Sequence, residues 1–579
     1  MNKNFENWKK DWKLAPYLFE KNEIEQLKLK LKNFSIDTVG YCSYENRFAK
    51  SGGLAMVAAK ILPYLKEINK IPNVLLITPF HSKIIDQSKL NSTGLSFLVP
   101  FGRSKIKVEI LEYIYQYDEP NKGNLKEYYL KAEGFFNAQN RLNDPYLFIE
   151  NNVSQNDRVI RENALFFCKA VPMAIQQLGL RENIVFHLQE WQTALIALTS
   201  KQAMLNGILE SCGTVQTLHN PYDAFIPFRK LGNIIDKLRV KKLSDNFDNG
   251  LTAYQLGLQL IDAPITTVSD NFAKEFTTDI LQTKHFVPHL QKIFKRTGVY
   301  GVNNGLFHDY PSEFQNLDKI TVERIKQVKF KYRKTLLQVL NDYNPPERFG
   351  KLTYQGGSIS NLPDNIPIFL MSGRLDYSQK GYDIFLHAIE RFEQDEIKVV
   401  LTPMPLKDSH LNLFRQIANK CRGNLTVFPI KMQKGYFELQ IGSSFGVMPS
   451  IYEPFGAATE YMVKGTLNIS RETGGLVDQI DNEQCGLLFR ENSKYYNLTN
   501  IKQFFIFRNS PKIRDKNDWV QSMIDQLYET MRKAIDLYQN YRDEYYQLIL
   551  SGFQKTKSFD WAVSAEKYYA VYKKIREGF

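Results

Sequence analysis

The chain has 579 residues, with 75 lysines and arginines against 62 acids and a net charge of +13. That length exceeds what one hydrophobic core organises and predicts two large domains. A hydrophobic content of 43% and a charged content of 24% are ordinary for a soluble globular protein. No apolar run approaches the roughly 20 residues of a membrane-spanning helix, and the polar N-terminus has no leader pattern, so a cytoplasmic location without a membrane span is expected. The five cysteines (Cys42, Cys168, Cys212, Cys421, Cys485) are odd in number and form no Cys-x-x-Cys pair, which argues for a reducing compartment and against a structural metal. Cations are dispersed among acids. The dense runs at 28–32 and 237–242 lack interleaved aromatics, so they read as solvated helix faces and not as a nucleic-acid surface. The excess positive charge also suits an anionic partner such as a nucleotide diphosphate.

Residues 1–33 read as an amphipathic helical extension. A strand at 35–42 ends in Lys50-Ser51-Gly52-Gly53-Leu54, and helical periodicity follows at 55–68. A strand, a glycine pair and a helix make a place where phosphate can approach the backbone, here beside Lys50, although glycine pairs also serve only to turn the chain. A buried strand at 74–78 leads to His81, which reads as structural. Short strands at 95–101 and 108–115 precede a helix at 158–178. The strand opening at Ile184 crosses into a helix and places Glu190 and Trp191 at its carboxyl end. A strand at 213–218 stops at His219-Asn220-Pro221. Another at 263–269 exits through Ser269, a suitable cap for a helix at 270–276, and 299–302 leads into the turn Asn303-Asn304-Gly305.

Residues 311–362 are polar, basic and proline-containing, and read as a connector between the halves. A strand at 366–372 then delivers Gly373-Arg374 and, six residues on, Lys380-Gly381. Arginine forks onto oxygens and lysine supplies a point charge, which fits a diphosphate clamp; a pair of solvated loop cations fits the same stretch. Strands at 398–402 and 425–429 follow. A strand at 445–448 reaches Pro449-Ser450, and Glu453 precedes Pro454. Proline at a first helical position predicts a helix over 454–464 with Glu453 at its mouth. Such a mouth suits an anion, and Gly456 permits close approach. After a strand at 467–470, Thr473-Gly474-Gly475-Leu476 offers a second set of N–H donors. The alternation of strands and helices means a doubly wound α/β architecture. The two turns together fit a nucleotide-sugar pocket, with an ordinary strand–turn–helix unit and a capping glutamate as the alternative.

In chain order, Lys50-Ser-Gly-Gly-Leu, His187-x-x-Glu-Trp, Leu218-His219-Asn220, Val268-Ser269, Asn304-Gly305, Gly373-Arg374 with Lys380-Gly381, Pro449-Ser450-x-Tyr-Glu453-Pro-x-Gly and Thr473-Gly-Gly-Leu resemble the glycogen and starch synthases. The resemblance covers 36–579, including Phe559-Asp560-Trp561. It implies the GT-B fold, with two Rossmann-like domains facing a cleft. Its divisions are an extension at 1–34, an acceptor domain at 35–315, a donor domain at 316–555 and a helix at 556–579 crossing back to the first domain. It also implies retaining transfer of glucose from ADP-glucose or UDP-glucose to an α-1,4-glucan, with no cofactor and no metal; the oligomeric state stays open.

Position by position, the resemblance makes Arg374 and Lys380 the pair that neutralises the donor diphosphate, and Glu453 the carboxylate beside the donor sugar. His219 lines the sugar side. Lys50, Gly52 and Gly53 match the first-domain donor loop. Thr473, Gly474 and Gly475 match the second-domain phosphate loop, with Gly456 nearby. Asn304, Glu190 and Trp191 match cleft positions. The chain also departs from the family. Ala55-Met56 stands where bacterial and plant members typically have Ala-Asp, and the His187–Gln192 segment is closer to animal and fungal members. Pro403-Met404-Pro405 replaces a glycine-rich turn. Glu453 and Glu460 are seven apart, one short of the spacing in broader retaining GT-B enzymes. Two alternatives therefore stay open: transfer to a protein or small-glycoside acceptor, and a nucleotide-sugar-binding relative without turnover. Joint retention of Arg374, Lys380, Glu453 and His219 speaks against the second.

Overall fold

A computed structural model describes residues 8–117, 123–140, 143–149, 152–342, 363–404, 408–421, 423–429, 435–508 and 510–577. The predicted features at 1–7, 343–362 and Pro405 lie outside these residues. The chain divides into two units, Met1–Gly305 with Asp560–Phe579, and Leu306–Phe559. Each has its own sheet.

The first unit contains β1 (Thr38–Cys42), β2 (Asn73–Pro79), β3 (Asn91–Phe101), β4 (Ser104–Tyr117), β5 (Gly123–Ala132), β6 (Ile184–Gln189), β7 (Cys212–Leu218), β8 (Phe225–Pro227), β9 (Gly250–Thr252), β10 (Thr266–Thr267) and β11 (Tyr300–Gly301). Its main sheet runs β11-β10-β7-β6-β1-β2-β5-β4-β3, and β8 and β9 form a separate ribbon. From β11 to β5 the pairs are parallel, while β5-β4-β3 close the edge as an antiparallel meander. β1, β6 and β7 are buried along their whole length, as parallel strands covered by helices on both faces must be. Their register sets Tyr41 beside His187 and Gln189 beside Thr217, so the carboxyl ends of β6 and β7 are neighbours.

Two expectations change here. The short strands at 95–101 and 108–115 are parts of long meander strands of 11 and 14 residues, and β5 supplies a third of 10. Charged residues in β5 hid it, because the buried Glu127 is matched by an arginine from a distant loop. The extension is not one helix: a 3-10 turn, Ala15–Tyr17, precedes the helix Lys21–Lys32.

The last helix, Trp561–Lys573, packs within the first unit against the helix Leu54–Glu67. A Cβ on Gly213 of β7 would lie 2.4 Å from Ile575 Cγ2, so only glycine lets the chain end lie this close to the strand. Tyr572 Oη meets His187 Nδ1 at 2.9 Å, and the other ring nitrogen meets Thr217 Oγ1 at 2.7 Å. His187 is therefore a brace between strand and terminal helix.

The second unit contains β12 (Ile368–Arg374), β13 (Lys398–Met404), β14 (Leu425–Val427), β15 (Phe445–Met448), β16 (Leu467–Arg471) and β17 (Gly486–Phe489). They form an all-parallel sheet in the order β14-β13-β12-β15-β16-β17. The order reverses between β12 and β15, and in open parallel sheets that switch point is where loops part to admit a ligand. The stretch read as a connector carries the helix Val322–Asp342, which packs on the helix Tyr436–Gly442 of this unit. Its buried Ile325, Val328 and Leu336 follow a helical period. The basic residues between them gave it the look of a linker.

Candidate active site

In the second unit the site grows from the loops after β12, β15 and β16. The chain leaves β12 at Gly373-Arg374 and turns back at Gly381, whose φ of 70° is left-handed. The backbone N–H of Ile451, after β15, donates to the carbonyl of Gln379 at 2.8 Å, which ties the two loops together. Lys380 Nζ donates to Glu453 Oε2 at 2.7 Å, and Ser450 Oγ donates to the same oxygen at 3.0 Å. Glu453 is 5% exposed, so its charge is matched by an ammonium in a largely dry site. Arg374 is exposed and donates through Nη2 to Gln379 Oε1 at 3.2 Å. The structure thus joins Lys380 directly to Glu453 and links Arg374 to them through Gln379.

The expected helix at 454–464 is corrected to Ala458–Met462. Glu453 is therefore in a loop and not at a helix mouth. Pro454 does not open the helix, because Gly456 at φ 94° turns the chain first. The β16 loop fixes Glu453 from its other side. Gly475 N–H donates to the Glu453 carbonyl at 2.8 Å, so this donor positions the glutamate. A Cβ on Gly474 would sit 1.8 Å from that carbonyl oxygen, and one on Gly456 would sit 2.9 Å from Glu453 Cγ. Thr473 is buried beside them. Glu460 pairs with His308 at 3.4 Å.

In the first unit Glu190 and His219 occupy the neighbouring carboxyl ends of β6 and β7. Glu190 has φ 63°, a conformation that costs a non-glycine residue of order 1–3 kcal/mol and is kept where surrounding contacts enforce it. The enforcing contacts are the backbone N–H groups of His219 and Asn220, both donating to Glu190 Oε1. Burial pushes the Glu190 carboxyl up to about 8, against the pull of those two donors. His219 Nε2 meets Gln189 Oε1 at 2.7 Å, and burial holds its imidazole down at about 3, so the ring is neutral near pH 7. Trp191 is half-buried at the start of the short helix Trp191–Ala194. Asn304 is 3% exposed, and its side-chain oxygen has no hydrogen-bond partner among the described residues.

The Lys50–Gly53 loop is built around a residue that sequence reading passed over. Glu45 Oε2 accepts the backbone N–H groups of Ser51 and Gly52, both at 3.1 Å. The donors expected to face phosphate are thus turned onto an internal carboxylate. Burial raises that carboxyl above its ordinary value. Ser51 Oγ donates to Asp144 at 2.8 Å, and Lys50 stays exposed. Arg47 forks onto Glu127 and stacks 3.9 Å from the Tyr115 ring centroid, pinning the loop to the meander. Glu45 stands in the polar strand exit Ser43-Tyr44-Glu45-Asn46-Arg47, where no local pattern singles it out.

A family model described as the starch synthase catalytic domain matches residues 38–292, and one described as glycosyl transferases group 1 matches 358–504. Together they span more than half of the chain. A glycogen synthase of Fervidobacterium nodosum is 27% identical, over 93% of this chain and 99% of its own length. Another, from Alkaliphilus metalliredigens, is 26% identical over 91% and 97%. Among solved structures, the catalytic domain of starch synthase IV from Arabidopsis thaliana, bound to ADP and acarbose, superposes with a TM-score of 0.67. It covers 94% of this chain and 99% of its own at 19% identity, a likeness of fold. The fold is that of the GT-B glycosyltransferases. The chain is an enzyme of the glycogen and starch synthase family of glycosyltransferases.

Proposed function

We propose that the protein transfers a glucosyl unit from ADP-glucose or UDP-glucose to the non-reducing end of an α-1,4-glucan, with retention at the anomeric carbon and with no metal or cofactor. The observation that carries this reading is the Lys380–Glu453 pair, braced by Ser450 and by the glycine turn at 474–475 at the switch point of a parallel sheet. In the reaction the bond from the anomeric carbon to the diphosphate oxygen breaks and a bond to an acceptor hydroxyl oxygen forms. The acceptor proton leaves with the nucleoside diphosphate.

Lys380 and Arg374 offset the charge that builds on the leaving phosphate, and fixed electrostatic help of this kind usually contributes most to such catalysis. Glu453 stands beside the sugar, where a carboxylate balances a developing oxocarbenium ion. Lys50, Thr473 and Asn304 serve donor binding, with Gly52, Gly53 and Gly456 shaping the loops that carry it and the Gly52 N–H kept on Glu45, while His219, Glu190 and Trp191 serve the sugar and acceptor. The relatives named glycogen synthase, matched over nearly their whole length, support the glucan acceptor. A cytoplasmic location follows from the same reading. The test is incubation with radiolabelled ADP-glucose and UDP-glucose, with and without glycogen. Label entering polymer supports the reading, and donor that stays intact with every acceptor contradicts it.

A further inference from the structure

Arg471 closes β16 two residues before Thr473, and the reading above gives it no part. It is 3% exposed. Its Nε donates to Glu491 Oε2 at 2.8 Å and its Nη2 to Oε1, while Nη1 reaches the carbonyls of Ile451 at 2.7 Å and Ser450 at 3.4 Å. Glu491, 5% exposed, also accepts Trp519 Nε1 at 3.0 Å. The rings of Tyr496 and Trp519 flank the guanidinium at 5.8 and 5.6 Å. Burial alone would raise the Glu491 carboxyl, but the charge and hydrogen bonds of Arg471 hold it below its ordinary value.

The two carbonyls that Arg471 grips belong to the loop that carries Glu453, and Ser450 of that loop also donates its hydroxyl to Glu453. One side of the guanidinium is thus anchored on a buried carboxylate, and the other carries the backbone of the site. A planar fork with several fixed donors spans both sides at once, whereas the three donors of an ammonium all leave one nitrogen and cannot keep the bidentate carboxylate contact together with both carbonyls.

We propose that Arg471 is a positioning residue for Glu453, holding the 450–453 backbone so that the carboxylate meets Lys380. The inference rests on the transfer reading for its effect on rate. A role limited to neutralising Glu491 makes a different prediction, and the substitution Arg471→Lys separates the two, because lysine keeps the charge and gives up the fork.

The experiment uses the full chain and measures thermal unfolding, kcat and donor KM with glycogen, and amide hydrogen exchange across 450–456. For Arg471→Lys the expected result is a chain that stays folded at the assay temperature with a lowered melting temperature, and kcat per folded molecule down about ten- to a hundredfold, the scale on which small misplacements act. Donor KM changes much less, and exchange in 450–456 rises. Wild-type kcat with unchanged exchange overturns the proposal, as does a loss of rate that only tracks the fraction unfolded. Should the lysine variant fail to fold, Arg471→Met with Glu491→Gln removes both charges from the core, and the same drop in kcat and rise in local exchange are expected of it. If the parent enzyme consumes no nucleotide sugar, that failure belongs to the transfer reading. The exchange data alone then decide the inference, and unchanged exchange overturns it.

Discussion

Lys380 Nζ lies 2.7 Å from Glu453 Oε2, although 73 residues separate them in sequence. The pairing follows from topology, because β12 and β15 are sequence-distant neighbours at the switch point of their sheet. Replacing Lys380 with methionine leaves Glu453 buried without its cation. Transfer should suffer, with kcat/KM falling by at least about 10²-fold, the usual scale for losing a charge-stabilising contact. Steady-state kinetics at saturating glycogen check this, and a loss under tenfold would count against the role given to Lys380.

Gly474→Ala should be more harmful than its size implies. At φ 50° and ψ −138°, outside even the left-handed helical well, an L-residue pays of order 1–3 kcal/mol in backbone strain. The new Cβ would also stand 1.8 Å from the Glu453 carbonyl oxygen, so the loop that carries Glu453 must shift. Transfer should fall steeply and the melting temperature should drop. Gly134→Ala is the control, since Gly134 has φ 79° with no neighbouring atom within 4 Å. It too places a side chain at positive φ, and it should keep full activity.

Three buried groups predict a pH optimum of stability. Burial holds His187 and His219 at about 3, from an ordinary 6.5, so both stay neutral in the fold while the unfolded chain takes up protons below 6.5. Their contribution is present above pH 6.5 and lost as pH falls toward 3, at about 1.4 kcal/mol per unit for each group. Glu190 acts in the opposite sense. With its carboxyl pushed up to about 8, its contribution is present below the ordinary 4.5 and lost as pH rises to 8. The three together place the maximum near pH 6.5. Urea unfolding between pH 4 and 9 should show this, and Glu190→Gln should flatten the alkaline limb while steepening the rise between pH 4.5 and 6.5, where Glu190 opposes the two histidines.

The Lys201–Asp262 pair is fully buried, and Asp262 also accepts from Thr214 and from Trp12 Nε1 of the N-terminal segment. Lys201→Met strands a buried carboxylate and should cost roughly 3–5 kcal/mol. Adding Asp262→Asn should recover a good part of it. A single substitution that leaves the urea midpoint unmoved would mean that water reaches Asp262.

The parallel strands were legible because they are continuous apolar runs between glycine- and proline-bearing turns, and the motif residues were legible because they stand at the carboxyl ends of those strands. What escaped was set by distant partners. β5 contains Glu127, which is tolerable inside a sheet only because Arg47 reaches it from another loop. The helix start was misplaced because Pro454 satisfies the local rule for a first turn, whereas Gly456 and the contact of Gly475 with Glu453 impose a loop there. Glu45 and Arg471 lie outside the motifs, and their parts depend on the backbone groups they hold, which no local pattern records. The helix Val322–Asp342 does not show in the sequence because its charge outweighs its apolar stripe.

The central claim is that the Glu453 carboxylate, held by Lys380 and the 474–475 turn, takes part in moving glucose from a nucleotide to a glucan. The direct measurement is incorporation of label from ADP-glucose and UDP-glucose into glycogen by the parent protein and by a folded Glu453→Ala variant. The account predicts label in polymer from one of these donors with the parent, and incorporation reduced by two orders of magnitude or more with the variant. Equal incorporation by the two proteins would contradict it.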